Sequence, residues 1–435
     1  MTKPSFTLSP TMAQHLKPSP TLYINERVQE MWAQGETVYH MGFGESRFPV
    51  HPKLQLALRD NAYQKSYLAG QGLRELRVKV AEFYTREFER PVKPEQIMTG
   101  PGSKSLIYAL QMALNAELIL PTPSWVSYAP QARLLQRPVR YIPAAAAEGY
   151  QLTLEALDQT LQESSHKTKV LLITSPNNPT GRMYEPEFLQ ELADYCRERE
   201  LIVLCDEIYG LVPHGHIKHV SLAHYYPEGA VVLGGVSKHL SLGGWRLGTA
   251  VLPDHEEGQV LMMAMRAVAG EIWSSSTAPV QYAAIEAYGD DADIWHYVDE
   301  CTRIHAIRTQ YVWQALMRME INCPQPAGGF YMFPNFDEHR TALNGMGIYT
   351  SEDLADHLLN EYQIATLPGT AFGTPPADLS LRLSTSYLDM ENDEKAEALL
   401  NLFRKENYAP DLMERAHPMM NEALRRLASF VDRLV

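Results

Sequence analysis

The stretch 170-VLLITSPNNPTGRMYEPEFLQELADYCRERELIVLCDEIYG-210 decides the fold. It opens on an apolar, β-branched run, 170-VLLITS-175, too short for an ordinary helix and closed by Pro, Asn and Gly turn chemistry. A second such run, 201-LIVLCDE-207, stands near its end. Between them 185-EPEFLQELADYCRERE-200 has helical spacing, with acidic residues in its first turn and arginines near its end, as a helix dipole favours. Strand, helix, strand at that separation means a parallel sheet. Two further short runs, 116-AELILP-121 and 230-AVVLGG-235, extend the pattern.

Outward from this centre the pattern changes. The helix-like segments 73–88 and 103–115 precede the first clear strand, and 354–362 and 391–406 follow the last. The expected organisation is an α/β fold with a large domain over residues 50–310. Residues 1–49 form an N-terminal arm and part of a smaller domain that 311–435 completes. The tail 407–435 has apolar residues at Leu424, Leu427, Phe430, Val431 and Leu434, which suit an amphipathic helix packed on the small domain or on a partner subunit.

Composition narrows the function. A chain of 435 residues holds two or three folding units. A net charge of −14 and a pI near 5.6 remove the attraction that nucleic acid or an anionic membrane requires. With 45% hydrophobic and 21% charged residues, the whole chain is expected to fold. The cysteines Cys196, Cys205, Cys301 and Cys323 form no C-x-x-C pair and read as free buried thiols in a reducing compartment. Residues 1–20 lack the apolar core of a secretory signal, and 260-VLMMAMRAVAGEIW-273 is broken by Arg266 before it reaches a spanning length. A cytoplasmic protein without membrane or nucleic-acid partners is expected. The cluster 214-HGHIKH-219 has no carboxylate or cysteine at metal spacing, so it reads as a solvated loop and no metal is expected.

In an open parallel sheet, ligands bind beyond the carboxyl ends of the strands. Here those ends run into 175-SPNNPTG-181, 205-CDEIYG-210 and 234-GGVSKHLSLGGWRLG-248, which together offer an amide, a carboxylate, a phenol, a lysine and an arginine. Taken singly, each has an ordinary reading. Lys238 is one lysine among many, Asp206 a helix cap or ion-pair member, and Asn-Asn-Pro-Thr-Gly a turn. The segment 99-TGPGSKSLIYAL-110 also invites a nucleotide-binding loop, but that motif needs G-x-x-x-x-G-K-[ST], and here Ser103 precedes the lysine while Met98 occupies the first glycine position.

Together with 41-MGFGE-45, 66-SYLAGQGLRELR-77, 122-TPSWVSY-128, 327-AGGFYMF-333, 368-PGTAFG-373 and 381-LRLSTSY-387, in that order, these motifs resemble the class I/II aminotransferases of the aspartate aminotransferase superfamily over nearly the whole chain. The resemblance implies pyridoxal-phosphate-dependent fold type I: a large domain with a mostly parallel seven-stranded sheet between helices, plus a smaller α/β domain. It implies pyridoxal 5'-phosphate as cofactor and ping-pong transfer of an amino group between an amino acid and a 2-oxo acid. A lyase, decarboxylase or cyclase on the same fold is the alternative. A regulator that kept the cofactor fold would need an added DNA-binding module, and fewer than 50 residues precede the large domain.

By the same resemblance Lys238 forms the Schiff base and moves the α-proton. Asp206 pairs with the pyridine nitrogen, so that the ring accepts electrons; Tyr209 and Asn178 bond the ring oxygen. The phosphate falls to Ser237, Arg246 and the turn Gly102, Ser103 and Lys104, and Trp125 stacks on the ring. Arg382 grips the substrate α-carboxylate, and Gly44 lies close to the substrate, where a side chain would intrude. Tyr67 reaches the phosphate of the neighbouring subunit, which implies a homodimer with a composite site. A cis Asn178–Pro179 bond is also expected.

The chain departs from the family at 44-GESRF-48, where the common pattern is Gly-Glu-Pro-Asp-Phe. Arg47 and Phe48 then fall near the pocket mouth, and Arg47 reads either as a solvent-facing guanidinium or as a contact for an anionic substrate group. Trp273 falls in a segment that, by resemblance, leans into the partner's site and limits the side-chain pocket.

Overall fold

The computed structural model describes residues 6–15, 20–216, 218–409 and 411–434. The opening stretch folds as its pattern requires. Strand β4 (Lys169–Thr174) pairs in parallel with β5 (Ile202–Asp206), from Val170 opposite Ile202 to Thr174 opposite Asp206. Between them helix α4 (Pro186–Glu198) starts with proline in its first turn and turns Leu189, Leu192, Ala193 and Cys196 inward.

The other strands complete the sheet: β1 (Ile97–Gly100), β2 (Glu117–Pro121), β3 (Val139–Ile142), β6 (Ala230–Gly235) and β7 (Gly248–Val251). Their order is β1-β7-β6-β5-β4-β2-β3, and only β7 runs antiparallel to its neighbours. This is the expected seven-stranded, mostly parallel sheet. Helices α2 (Arg74–Glu87), α3 (Ser103–Ala113) and α5 (Glu256–Ile272) pack against it. Thr174, Asp206 and Gly235 therefore finish their strands along one edge.

A second apolar cluster surrounds a small antiparallel sheet, β8 (Tyr331–Met332), β9 (Leu367–Pro368) and β10 (Leu381–Ser384), with β10 in the middle. Helices α7 (Ser351–Tyr362), α8 (Asp393–Lys405) and α9 (Pro418–Val431) enclose it. The amphipathic tail is α9, and it packs on this cluster of its own chain: the Phe430 ring lies 5.4 Å from Tyr362 and 6.4 Å from Phe336. The N-terminal helix α1 (Pro20–Ala33) joins the same region. Its Arg27 reaches Asn360 at 2.8 Å on α7, and Trp32 stacks on Tyr387 with ring centres 5.9 Å apart. Residues 39–40 pair in parallel with 364–365.

Helix α6 (Ala292–Arg318) links the clusters. Its Ile294 and Val298 belong to the large one, and Ile304, Val312 and Leu316 to the small one.

The cis bond expected at Asn178–Pro179 is absent; the cis peptides are Thr122–Pro123 and Ser175–Pro176. Every X-Pro amide has a weakened trans preference, and the turn after β4 contains two prolines, so its composition does not say which takes the cis form. All four cysteines are free and buried. Among the described residues no helix is long and apolar enough to cross a membrane, and no group of three or more His, Cys, Asp or Glu is placed to hold a metal ion.

Candidate active site

The ends of β4, β5 and β6 open into a cleft of about 350 Å³. Of the residues singled out from the sequence, Gly44, Gly102, Ser103, Lys104, Trp125, Asn178, Asp206, Tyr209, Ser237, Lys238, Arg246 and Arg382 line it, whereas Arg47, Phe48, Tyr67 and Trp273 do not.

Asp206 closes β5, 3% exposed. The Tyr128 hydroxyl donates to its Oδ2 at 2.6 Å and the Ile208 backbone N–H to its Oδ1 at 3.2 Å. Burial pushes this carboxyl up to about 6, against the pull of those hydrogen bonds and of Lys238. Three residues on, the buried Tyr209 hydroxyl lies 2.9 Å from the Tyr331 hydroxyl, and burial raises its pKa well above the ordinary phenol value.

Lys238 follows β6. Its Nζ donates to the Gly44 carbonyl at 2.9 Å and stands 5.4 Å from the Tyr209 ring centre. The Tyr331 hydroxyl donates to the same carbonyl at 3.1 Å. Gly44 has to be glycine here, because a Cβ would stand 2.0 Å from the Tyr331 oxygen.

A candidate anion cradle lies at the start of α3. Gly102 caps that helix at φ +88°, where glycine is favoured, and a Cβ there would meet Arg246 Nη2 at 2.4 Å. Gly102, Ser103, Lys104, Ser237 and Arg246 all line the cleft, and the first turn of a helix presents backbone N–H groups that have no intrahelical partner. Arg246 itself has φ +54° and donates to Gly243 O at 2.8 Å. Lys104 Nζ lies 4.9 Å from the Trp125 ring centre; burial lowers its pKa, and the charges of Arg246 and Lys238 add to the effect.

Arg382, on β10, is 2% exposed and stands opposite the strand ends. It donates through Nη1 to Asn178 Oδ1 at 3.2 Å and through Nη2 to the Gly42 carbonyl, while its Nε has no partner. The Tyr331 ring centre is 4.7 Å from the guanidinium carbon. Carbonyl and amide oxygens thus hold Lys238, Arg246 and Arg382, and no carboxylate pairs with them among the described residues.

Residues not singled out from the sequence also shape the site. Tyr128 and Tyr331 lay inside quoted motifs, yet their hydroxyls gain roles only through distant partners, Asp206 and Gly44. Thr21 and Leu22 of α1 line the cleft mouth, for which the sequence carried no signal.

Tyr67 is 90% exposed and outside its own chain's cleft. Arg47 neither faces solvent freely nor lines the cleft: it donates to Glu45 Oε2 at 3.0 Å and to the Glu391 carbonyl at 3.0 Å. Phe48 is buried in the small cluster. Trp273 ends α5 and is partly buried against its own chain's core. The solvated-loop reading fails at His214, which is 4% exposed with Nε2 2.8 Å from the Gly329 carbonyl. A distant loop supplies the partners that solvent was expected to provide.

A family model described as aminotransferase class I and II matches residues 37–399, and the chain belongs to that family. It is an aminotransferase. The aspartate aminotransferase of Bacillus subtilis (strain 168) is 34% identical over 369 residues, which cover 83% of this chain and 90% of the relative. A probable aspartate/prephenate aminotransferase of Aquifex aeolicus (strain VF5) is 32% identical, over 83% of this chain and 90% of the relative. Among solved structures, the Thermus thermophilus aspartate aminotransferase with maleate superposes with a TM-score of 0.80 at 26% identity, covering 92% of this chain and all of that one.

Proposed function

We propose that the protein holds pyridoxal 5'-phosphate in this cleft through Lys238 and transfers the amino group of an acidic amino acid to a 2-oxo acid. The observation that carries the cofactor assignment is Asp206: a buried carboxylate whose neighbours are a phenol and a backbone N–H, with no cation directly bonded to it. A protonated ring nitrogen is the partner that such a group lacks. The cradle at Gly102, Ser103 and Lys104, with Ser237 and Arg246, suits a phosphate, and Trp125 offers a flat wall.

When bound, the cofactor supplies an electron sink for the charge left on the substrate α-carbon. This chain's residues do the rest. Arg382 binds the α-carboxylate with its fork of donors, exchanging its present carbonyl and amide contacts for a charged one. Lys238 Nζ takes and returns the α-proton, and the Gly44 carbonyl holds the amine in reach. Tyr209 and Asn178 orient the ring oxygen. A donor with a second carboxylate is favoured by the relatives named for aspartate.

A homodimer is part of this reading. Leu68 N–H bonds Ser275 Oγ at 3.4 Å, which sets exposed Tyr67 beside the end of α5. Val260, Met263 and Ile272 of that helix are exposed apolar residues, a surface that suits a second copy. From there Tyr67 would reach the partner's phosphate, and Trp273 would border the partner's pocket. The division into a large domain over 50–310 and a small one from 1–49 and 311–435 is proposed with α6 as their common spine. The four free thiols suit the cytoplasm.

The test is the visible absorption spectrum before and after adding a panel of amino acids, beside Lys238→Ala. A yellow protein that loses its band with L-aspartate and releases one equivalent of oxo acid supports the reading. Release of pyruvate and ammonia instead points to lyase chemistry, and a protein that never takes up the cofactor overturns the assignment.

A further inference from the structure

Ser46 stands where the family pattern carries proline, and its hydroxyl is the middle link of a buried chain. Its Oγ lies 2.6 Å from Ser241 Oγ and 2.9 Å from His305 Nε2. Ser46 is 3% exposed and His305 1%. The imidazole comes from α6 and sits between Phe48 and Phe330, at ring-centre distances of 5.0 and 4.8 Å. Its Nδ1 has no partner. A buried N–H without an acceptor is rarer than an unused lone pair, so the hydrogen-bond pattern assigns the proton to Nε2, donating to Ser46. Ser46 then gives its own proton to Ser241. Burial, Arg308, His214 and Lys238 all hold this imidazole neutral.

The chain joins the two segments that meet at the lysine. Ser46 is two residues after Gly44, whose carbonyl accepts from Lys238. Ser241 is three residues after Lys238, at φ +57°, and its N–H bonds the Lys238 carbonyl at 3.3 Å. One hydroxyl pair therefore clasps the loop that holds the acceptor to the turn that holds the donor.

We propose that Ser46 is a positioning residue: held by His305 and Ser241, it sets the Gly44 carbonyl at hydrogen-bond distance from Lys238 and so fixes where the lysine amine stands. The proposal rests on the reading of Lys238 as the cofactor lysine. Ser46 carries no charge and acts through the placement of Gly44 alone.

The experiment uses the cofactor-loaded protein and Ser46→Ala, Ser46→Thr and Ser241→Ala. The position of the visible band is read without substrate, then kcat and KM with L-aspartate. Ser46→Ala is expected to displace the band from the parent's position and to lower kcat about tenfold, with KM within about twofold of the parent. Ser46→Thr, which keeps the hydroxyl, restores both. Ser241→Ala changes both in the same direction, and the double alanine variant is no worse than the more impaired single one, as linked residues require. An unchanged band and kcat in Ser46→Ala overturn the proposal, as does a threonine variant as impaired as the alanine one. Should Ser46→Ala not fold, Ser241→Ala decides alone by the same two readouts. A parent that binds no cofactor, or a Lys238→Ala variant with the parent's spectrum, strikes the reading of Lys238 itself; a sound parent with an indifferent Ser46→Ala strikes only this inference.

Discussion

The two sides of the cleft are held in different ways. Asp206 and Lys238 end or follow strands of a sheet that is buried along β5 and β6, so moving either means slipping a register that the whole core enforces. Arg382 stands on a four-residue strand between two strands of two residues, and Gly44 on a loop. That side is fixed by individual hydrogen bonds, from Arg382 to Asn178 and Gly42, and from Lys238 and Tyr331 to Gly44. The sheet suits a ligand that stays; the hydrogen-bonded side suits one that is exchanged in every turnover.

This contrast can be broken by measurement. The largest effect is expected from Asp206→Asn, which should lower kcat/KM about 10³-fold and weaken cofactor binding in equilibrium titration. Arg382→Lys should cost about 10²-fold, mostly in KM, because an ammonium cannot reproduce the bidentate fork. Its cofactor dissociation constant should stay within about twofold of the parent; weakened cofactor binding there would show that the two sides are not separable. Gly44→Ala puts a methyl group against the Tyr331 hydroxyl and is expected to lower kcat/KM about tenfold, again with cofactor affinity preserved.

The smallest effect is on stability and depends on pH. The Asp206 carboxyl, pushed up to about 6 from an ordinary 3.8, holds its proton more tightly in the folded chain than in the unfolded one. Its contribution is therefore full below the unfolded value and is lost as pH rises through about 6. In the cofactor-free protein Asp206→Asn should raise the melting temperature by about 1–3 °C at pH 8 and leave it unchanged at pH 4. Equal gains at both pH values would mean that the carboxylate's burial is not the cause.

The sequence showed most of the sheet-built side. The runs at 117–121, 169–174, 202–206 and 230–235 were legible because buried parallel strands are continuous apolar segments. Strands β1, β3 and β7 were not: each has four residues, and β3 is only half-buried over most of its length. The candidate site residues were legible through motifs whose order matches a family, and all of them but Tyr67 line one cleft. What escaped depends on contacts between distant segments. Nothing local marks Tyr128 as the donor to Asp206, 78 residues away, or His305 as the partner of Ser46, 259 residues away. Likewise, Arg47 looked free because Glu391, which ties it down, lies 344 residues further on.

Helix α6 has a thermodynamic consequence. Its 27 residues, about 40 Å of continuous backbone, put some side chains in the large apolar cluster and others in the small one. Melting either cluster alone would strip one end of a helix whose other end is still packed, leaving backbone groups half-ordered at the junction. A chain this long has room for two separate calorimetric transitions; the shared helix couples them, so heating is expected to trace a single cooperative endotherm.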